Sequence, residues 1–350
     1  MFSDAFEGRR VFMTGHTGFK GSWLSLWLSM LGAKVFGFSL EPPSVPDMFG
    51  LIGLDGSVIG ERGDIRDGEA LCRAMQGFAP DLVVHMAAQP FVRRSYCEPV
   101  KTMTTNVIGT VNVLESIRQT PSVRAVINVT SDKCYTNMNS GKPFRETDPM
   151  GGDDPYSASK GCAELVAHSW RKSFFGDGPL MASVRAGNVI GGGDFGEDRL
   201  VPDMVRAFFA GKAVHIRSPK AVRPWQFVLE PLSGYLSLAA ALLEGKAEFS
   251  GGWNFGPGEG DAFDVGQVVL GVVKRWGDDA AYVIDQEDHP CEAVLLRLDC
   301  HKARRELGWV SKTGIEVALD WTVEWYKACQ NDPKSLRALT ERQIRRFEEM

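Results

Sequence analysis

Two groups of acid–base side chains stand close together near the middle of the chain. Tyr156 and Lys160 are four residues apart at the start of a predicted helix, so they share one face of it. A phenol has an ordinary pKa of about 10, and a neighbouring ammonium favours its ionised form. Tyr156 is therefore a candidate base that takes a proton from a hydroxyl while the adjoining carbon loses hydride.

A hydroxyl, a carboxyl and an ammonium precede this pair in the stretch Ser131-Asp132-Lys133. The stretch directly follows a short apolar run. We expect burial to raise the pKa of Asp132 until it can act as an acid, and neighbouring groups to lower the pKa of Lys133 toward that of a base. Because simple hydride transfer needs fewer groups, the two sets together predict an enzyme that oxidises a substrate and then eliminates a group from it.

Each motif has a plainer interpretation when it is taken alone. A Tyr-x-x-x-Lys spacing is often a surface contact on a helix, and a polar turn after a strand often holds a capping aspartate. The presence of both motifs in one chain favours catalysis. The predicted catalytic residues are Ser131, Asp132, Lys133, Tyr156 and Lys160.

The elements that would position these residues follow a βαβ pattern. Short apolar runs alternate with helix-length amphipathic segments, which is typical of a parallel sheet with helices on both faces. The predicted strands are 10–14, 34–39, 57–60, 81–85, 125–130 and 180–185. Residues 18–31 are apolar nearly all round, which predicts a buried helix that Gly32 ends in a left-handed conformation. Residues 314–350 are predicted to be helical.

The pattern predicts an α/β fold with two lobes. We expect a Rossmann-type, doubly wound parallel sheet over residues 1–187, with some later segments returning to it. After that point glycine-rich and proline-rich stretches separate shorter helices. Residues 188–350 are therefore predicted to form a smaller, loop-rich α/β lobe that closes over a substrate.

A glycine-rich loop, Thr14 to Gly21, joins the first strand to the first helix. Glycines let the backbone approach a pyrophosphate that binds the N–H groups of the helix N-terminus. Ser39 ends the second strand, where an acidic residue normally binds the adenosine ribose, so the choice between NAD and NADP stays open. The cofactor-binding residues predicted from these strand ends are Gly15, Thr17, Gly18, Phe19, Lys20, Gly21, Ser39, Asp64, Ile65, Ala87, Ala88 and Gln89.

The second half carries side chains that suit a diphosphate. Arg199, Arg217 and Arg223 can each bind phosphate oxygens through two parallel hydrogen bonds, and His215 and Asn188 add further donors. A solvated basic face is the alternative, and it is the favoured interpretation of Arg217 taken singly. Arg223 lies between apolar neighbours that would bury its stem.

Composition limits the class of protein. Apolar residues make up 44% and charged residues 24%, as in ordinary globular proteins, and the formal net charge of -5 argues against a nucleic-acid-binding surface. No apolar run is long enough to cross a membrane, so we expect a cytoplasmic protein without a membrane partner. The seven cysteines include no C-x-x-C pair, which indicates reduced thiols and no metal site.

These motifs together resemble the extended short-chain dehydrogenase/reductase family from Arg10 to about Trp309. The glycine loop, Asp64-Ile65, Ala87-Ala88, Thr105-Asn106, the Tyr156/Lys160 pair and Asn188-Val189-Ile190-Gly191 occur in the family's order. Within that family, nucleotide-sugar 4,6-dehydratases carry Thr-Asp-Glu after the fifth strand. Lysine in place of that glutamate, with the opening Gly-His-Thr-Gly-Phe-Lys-Gly-Ser-Trp, resembles the members that act on CDP-glucose.

The resemblance implies an activity, a cofactor and partners. It implies NAD as cofactor, with Thr105, Tyr156 and Lys160 among its contacts, and CDP-glucose as substrate. Tyr156, helped by Lys160 and Ser131, would start oxidation at C4, while Lys133 occupies the family's base position and Asp132 would protonate the departing 6-hydroxyl. The implied substrate contacts are Gln89, Ser131, Asn188, Arg199, Leu200, Val214, His215, Ile216, Arg223, Asn254 and His289. Helices around 100–118 and 156–175 would pair subunits into a homodimer or homotetramer.

The sequence is also compatible with other functions. A dehydratase for dTDP- or UDP-sugars or a 4-epimerase of the same fold is the nearest alternative, although an epimerase has no elimination for Asp132 and Lys133 to perform. A non-catalytic NAD(P)-sensing regulator is a more distant one. Such a regulator would keep the glycine loop but would not need Tyr156 and Lys160.

Overall fold

A parallel β-sheet forms the centre of the protein in the computed structural model, which describes residues 2, 4–42, 44–138, 141–258, 263–277, 280–285 and 296–350. The strands are β1 (Arg10–Thr14), β2 (Lys34–Ser39), β3 (Ile59–Arg62), β4 (Leu82–His85), β5 (Ala125–Val129), β6 (Leu180–Ala186), β7 (Val189–Ile190), β8 (Val214–Ile216), β9 (Val222–Arg223), β10 (Gln226–Phe227), β11 (Gly251–Phe255), β12 (Phe263–Asp264) and β13 (Tyr282–Ile284). Among the described residues, seven strands form this sheet in the order β11-β6-β5-β4-β1-β2-β3, and every neighbouring pair is parallel.

Helices cover both faces of the sheet. They are α1 (Phe19–Met30), α2 (Met48–Leu51), α3 (Gly68–Phe78), α4 (Val92–Cys97), α5 (Pro99–Met103), α6 (Gly109–Arg118), α7 (Pro155–Ser173), α8 (Leu200–Phe209), α9 (Leu229–Leu243), α10 (Val265–Trp276), α11 (His301–Glu306), α12 (Ile315–Asn331) and α13 (Leu336–Glu349). Alternate residues of β1 enter different cores: Val11 and Met13 join one cluster, and Phe12 joins the other. The predicted α/β class and doubly wound sheet are confirmed.

Strand positions agree with the prediction to within a residue or two, and the largest shift is in β3. The prediction placed this strand at 57–60, whereas it spans Ile59–Arg62 at the edge of the sheet. All four of its residues are exposed, so their hydrophobicity gives no signal for the strand's bounds. A 3₁₀ turn at Leu54–Gly56 delays the start of the strand.

The buried helix predicted at 18–31 is α1. Its apolar residues from Trp23 to Leu28, both tryptophans included, are fully buried, and Gly32 has a φ of +81° as expected of a left-handed helix end. Both indoles also bind the second half of the chain. Trp23 Nε1 donates to the carbonyl of Gly192 (2.9 Å), and Trp27 Nε1 donates to the carboxylate of Glu348 (2.9 Å).

The second half of the chain contributes to the central sheet and also forms elements outside it. Strand β11 returns to the central sheet beside β6, and α9 packs against β5 and β6. Short strand pairs, β7 with β10, β8 with β13 and β9 with β12, lie outside the central sheet. The predicted helix at 314–350 is two helices, because the turn Pro333–Ser335 separates α12 from α13.

No described helix has both the length and the apolar character that a membrane span requires.

Candidate active site

A cavity of about 670 Å³ lies at the carboxyl ends of the central strands, where ligands bind in open α/β sheets. The glycine loop and the ends of β2, β4 and β5 form one part of its wall, and residues around β6, α8 and β8 form the rest. All five predicted catalytic residues line it. It is also lined by the predicted cofactor residues Gly15, Thr17, Gly18, Phe19, Lys20, Gly21, Ser39, Asp64, Ile65, Ala87, Ala88, Gln89 and Thr105.

The glycine loop packs too closely to accept side chains at two positions. Gly15 has a φ of +76°, and a Cβ there would lie 2.7 Å from the amide nitrogen of Ala87. A Cβ on Gly21 would lie 2.1 Å from the carbonyl oxygen of Gly15. Helix α1 begins directly after Gly18, which caps it without a side-chain hydrogen bond. The first N–H groups of α1 therefore have no side-chain acceptor, and this cradle fits a dinucleotide pyrophosphate.

A polar network surrounds Ser39 at the end of β2. Its hydroxyl lies 3.0 Å from Nδ1 of His16 and 3.0 Å from the hydroxyl of Thr17. Burial, and then the charge of Arg62, lower the pKa of His16 to about 4, so this imidazole is neutral. Since Arg62 can only donate to Nε2 of His16 (3.3 Å), Nδ1 carries the hydrogen and donates to Ser39.

His16 was not predicted as a functional residue from the sequence, although it lies inside the glycine loop. The spacing of the glycines gives no indication of which way an intervening side chain points. A signal was present in the loop itself, because a histidine between Gly15 and Thr17 is a hydrogen-bonding residue at a position next to the end of β2.

Asp64 and Gln89 line the cavity with most of their polar atoms engaged. The Asp64 carboxylate accepts from the side chain and the amide of Arg66, and these hydrogen bonds lower the pKa of Asp64. Gln89 exchanges backbone hydrogen bonds with the Asn106 side chain (2.8 and 3.1 Å), and Asn106 also donates to Ser159 in α7 (2.8 Å). Asn106 thus fixes the end of β4 to the helix that carries Tyr156. It lies in a π-helical turn, Thr104–Ile108, a feature frequent at functional sites.

Tyr156 and Lys160 are both buried at the start of α7. Burial raises the pKa of Tyr156 to about 12, while a hydrogen bond with Ser131 acts in the opposite direction. The lowering that the sequence led us to expect from Lys160 is therefore outweighed by burial. Burial also lowers the pKa of Lys160 to about 8, against the influence of Cys134 and Glu164, and its Nζ donates to the carbonyl of Val129.

Ser131 begins a single 3₁₀ turn, Asp132–Cys134, directly after β5; residues 131–134 are called the acid turn below. The Ser131 hydroxyl accepts from the amide of Lys133 (3.3 Å) and donates to Oδ1 of Asp132 (3.0 Å). Oδ2 of Asp132 is buried without a hydrogen-bond partner, and burial raises the pKa of this carboxyl, as expected from the sequence. Because Ser131 is the capping residue, the capping-aspartate interpretation of Asp132 is wrong.

Positive charge is concentrated beside the acid turn. Burial, and then the charges of Lys160 and Arg199, lower the pKa of Lys20 to about 8. Arg199 is held by the carboxylate of Asp194 (2.9 Å) and lies over the ring of Phe91. Such a cluster suits a strongly anionic ligand. Among the described residues, no group of three or more His, Cys, Asp or Glu side chains is arranged to hold a metal ion.

Most of the predicted substrate residues also line the cavity. They are Gln89, Ser131, Asn188, Arg199, Leu200, Val214, His215, Ile216 and Arg223. Arg217 lines it as well and is paired with Asp198 (3.1 Å), so it is not part of a purely solvated basic face.

The family model described as GDP-mannose 4,6 dehydratase matches residues 12–321. The chain belongs to this family. The predicted membership of the extended short-chain dehydrogenase/reductases is confirmed with it. A curated CDP-glucose 4,6-dehydratase of Salmonella typhimurium is 52% identical over 328 residues, which cover 92% of this chain and 91% of the relative.

Solved structures have the same fold as this member of the GDP-mannose 4,6 dehydratase family. An epimerase of Methanothermobacter thermautotrophicus superposes with a TM-score of 0.81 at 23% identity, over 95% of this chain and 96% of the other. The UDP-glucose 4-epimerase of Thermus thermophilus, solved in complex with NAD, has a TM-score of 0.77 at 26% identity and covers 91% and 99% of the two chains.

One described residue that the resemblance implied as a substrate contact, Asn254, does not line the cavity. Asn254 is fully buried in β11, where its side chain accepts from Tyr135 (2.7 Å) and donates to the carbonyl of Phe144 (2.9 Å). Its side-chain polar atoms are engaged in the protein interior, and its role as a substrate contact stays a prediction. His289 lies outside the described residues.

Proposed function

We propose that this protein converts CDP-D-glucose to CDP-4-dehydro-6-deoxy-D-glucose and water, with NAD as its cofactor. The observation that carries the proposal is the pairing of two chemical sets in one cavity: Tyr156 with Lys160, and the acid turn with its partnerless Asp132 carboxyl. An epimerase has no use for the second set. The 52% identity to a curated CDP-glucose 4,6-dehydratase over nearly the whole chain supports the same activity.

NAD would be held by the glycine loop and the ends of β2, β3 and β4. The hydroxyl of Ser39 accepts a hydrogen bond from His16 and can donate one to the hydroxyl of Thr17. Thr17 in turn donates to the carbonyl of Leu40 (3.1 Å). Ser39 then offers an acceptor to the cavity. A free ribose hydroxyl can donate to it and a phosphate cannot, which favours NAD over NADP.

Tyr156 is the proposed base for the first step. It takes the proton of the sugar 4-hydroxyl. The Ser131 hydroxyl lies between the two groups and forms hydrogen bonds with both the substrate and the phenol. When bound, NAD accepts hydride from C4 and later returns it to C6, and its oxidised form adds positive charge to the cavity. The hydrogen bond with Ser131 and the charge of Arg199 favour the phenolate, against the burial that raises the pKa of Tyr156.

The acid turn is proposed to carry out the elimination. A ketone at C4 acidifies the hydrogen on C5, and Lys133 lies beside Asp132 on the same turn. Lys133 acts either as the acceptor of the C5 proton or as a charge that stabilises the enolate while water accepts that proton. Asp132, whose pKa is raised by burial, donates its proton to the departing 6-hydroxyl. Hydride return to C6, with return of a proton to C5 from the group that accepted it, gives the 4-dehydro-6-deoxy sugar and leaves no net oxidation.

Arginines from the second half are proposed to hold the diphosphate. Arg199 and Arg217 are each paired with an aspartate, Asp194 and Asp198 respectively, so their guanidinium groups are already oriented at the cavity wall. A diphosphate oxygen makes a charge-assisted hydrogen bond of the same kind. Arg223 is buried and lines the same cavity, and its NH1 donates to the carbonyl of Val222 (3.0 Å).

The substrate proposal is tested by incubating purified protein with CDP-, UDP- and dTDP-glucose separately. We expect the alkali-induced absorbance of a 4-keto sugar with CDP-glucose, at a kcat/KM at least about tenfold above the other two, since one donor–acceptor swap in the base is worth about 1–3 kcal/mol. No signal with CDP-glucose would overturn the proposal. An equal rate with all three would overturn its choice of base.

We also propose a homo-oligomer that pairs through α5, α6 and α7. Exposed apolar side chains on and between these helices support it: Val100 is 75% exposed, Ile108 51% and Leu165 59%. Sedimentation equilibrium of the wild type and of an Ile108→Lys/Leu165→Lys variant tests this surface. A wild-type monomer, or an unchanged oligomer in the variant, would contradict it.

A further inference from the structure

A buried ion pair lies behind the acid turn, outside the set of groups that the proposed mechanism uses. The carboxylate of Glu164 in α7 binds the guanidinium of Arg185 in β6 through two hydrogen bonds, of 2.9 and 2.8 Å. Each side chain is only 5% exposed. The free-energy cost of removing two charges from water offsets most of the attraction between them. A buried ion pair is therefore weak evidence for a role in stability.

One end of the acid turn is attached to this ion pair. Thr130, the residue that precedes the turn, donates its hydroxyl hydrogen to the Glu164 carboxylate. The amide of Thr130 also donates to the carbonyl of Val184 (2.9 Å), one residue before Arg185. The chain therefore enters the turn from a position fixed by Glu164 and by the strand that carries Arg185.

The other end of the turn is attached to the same pair. Tyr135, the residue that follows the turn, accepts from NH1 of Arg185 (2.6 Å) and donates to Asn254 (2.7 Å). Its ring stacks on that of Phe144, at 4.9 Å between centroids and 4° between planes. Thr130 and Tyr135 thus bind opposite members of one ion pair, with the acid turn between them.

The ion pair also belongs to the helix that carries the oxidising groups. Glu164 lies one helical turn after Lys160 and two turns after Tyr156 on α7, so the three share a face. Its charge also acts on Lys160. A single carboxylate is therefore connected to both sets of acid–base residues.

We propose that Glu164 and Arg185 are positioning residues that set the acid turn in register with Tyr156 and Lys160. The role rests on the proposed function: the same sugar must meet Tyr156 at its 4-hydroxyl and Asp132 at its 6-hydroxyl. Oxidation at C4 uses the acid turn only through the Ser131 hydroxyl, whereas elimination needs both Asp132 and Lys133 at a fixed distance from α7. Loosening the attachment at Thr130 or Tyr135 impairs the second step more than the first.

The test uses variants that remove one hydroxyl each and keep both charges, Thr130→Val and Tyr135→Phe. Thr322→Val is the matched control, because Thr322 is fully buried and donates only to the carbonyl of Ala318, within α12. In single turnovers with CDP-glucose, we expect both test variants to form reduced nicotinamide at the wild-type amplitude. We expect release of the 4-keto-6-deoxy product to slow by about tenfold to a hundredfold, because small misplacements of reacting groups slow a reaction by about this much. Reduced nicotinamide therefore accumulates.

Two further measurements separate positioning from general damage. Thr130→Ser restores the hydroxyl and should restore product release, and backbone hydrogen exchange of residues 131–135 should rise in Thr130→Val and Tyr135→Phe but stay unchanged in Thr322→Val. An equal loss of oxidation and product release, a Thr130→Ser variant as slow as Thr130→Val, or unchanged exchange would each overturn the inference. A wild type that does not act on CDP-glucose defeats the proposed function, and the exchange measurement still decides whether the ion pair orders the turn.

Discussion

Ser131 caps the acid turn and donates to Oδ1 of Asp132, which leaves Oδ2 of Asp132 buried without a partner. The different roles of these two residues, one capping the turn and the other facing the cavity, determine which of them can act as an acid. A capping aspartate would be ionised and engaged. Because the serine takes the capping role, the carboxyl next to it is free to hold a proton at the cavity wall.

Asp132→Asn is expected to stop elimination while leaving oxidation. An amide cannot donate the proton that a departing hydroxyl needs, and a general acid is worth about 10²- to 10⁴-fold in rate. Rapid-quench product analysis beside the absorbance of reduced nicotinamide measures both steps. Asp67→Asn is the control, since this exposed cap of α3 tolerates asparagine equally well. Normal product release by Asp132→Asn would exclude Asp132 as the acid.

The same substitution is expected to stabilise the protein at neutral pH. Burial raises the pKa of Asp132 in the folded state, so its contribution to stability is fully present below the unfolded pKa and is lost as pH rises through the folded value. Asparagine has no charge to bury. The melting temperature of Asp132→Asn should therefore exceed that of the wild type at pH 7, and the difference should shrink toward pH 4. A variant that is less stable at pH 7 would contradict the raised pKa.

Lys133→Met is expected to block elimination and leave enzyme-bound reduced nicotinamide after oxidation at C4. Lys133→Arg then separates the two roles that remain for the lysine, because a guanidinium keeps the charge but cannot give up a proton. Product formation that survives in the arginine variant identifies a charge stabiliser. Arginine and methionine variants that are equally inactive identify a base. Normal turnover by Lys133→Met would exclude both roles.

The neutral state of His16 predicts a loss of stability in acid. Its folded pKa of about 4 lies below the ordinary 6.5, so its contribution is present above pH 6.5 and is lost as pH falls through 4. The loss is on the order of 3 kcal/mol at most. Denaturant unfolding of the wild type and His16→Gln between pH 7 and 4 measures it, and the wild type should fall more steeply. Parallel curves would contradict the lowered pKa.

Two glycine substitutions are expected to act in opposite directions. Gly21→Ala places a Cβ 2.1 Å from the carbonyl oxygen of Gly15, which should cost about 1–3 kcal/mol and weaken NAD binding. Gly77→Ala lies within α3 with nothing inside 4 Å, and should stabilise the protein by about 0.5–1 kcal/mol. Calorimetric melting with and without NAD measures both effects. A tolerated Gly21→Ala would contradict the close approach in the loop.

The sequence was sufficient to predict the sheet and the strand ends around the cavity. Buried strands such as β4 and β5 are continuous apolar runs, and the polar residues that follow them must meet at one edge. Strand β3 was misplaced because an exposed edge strand has no such pattern. The long final helix was predicted as one because its apolar spacing continues on both sides of the turn that Pro333 begins.

Contacts between distant elements could not be predicted in the same way. Glu164 and Arg185 are ordinary charged residues in a helix and a strand, and nothing in their spacing indicates that they meet below the acid turn. Asn254 is the reverse case: its neighbours in the sequence suit a cavity wall, whereas strand β11 buries its side chain inside the protein. The pKa of Tyr156 was misjudged because burial cannot be read from a spacing of four residues.

The return of β11 to the central sheet has a consequence for the protein during synthesis. Strand β6 pairs with β5 on one side and with β11 on the other, and β11 begins only at Gly251. Until that segment has left the ribosome, the backbone of β6 is an open edge that can pair with another nascent chain. Chains cut short before Gly251 are therefore expected to aggregate, even though every residue proposed to do chemistry has already been made.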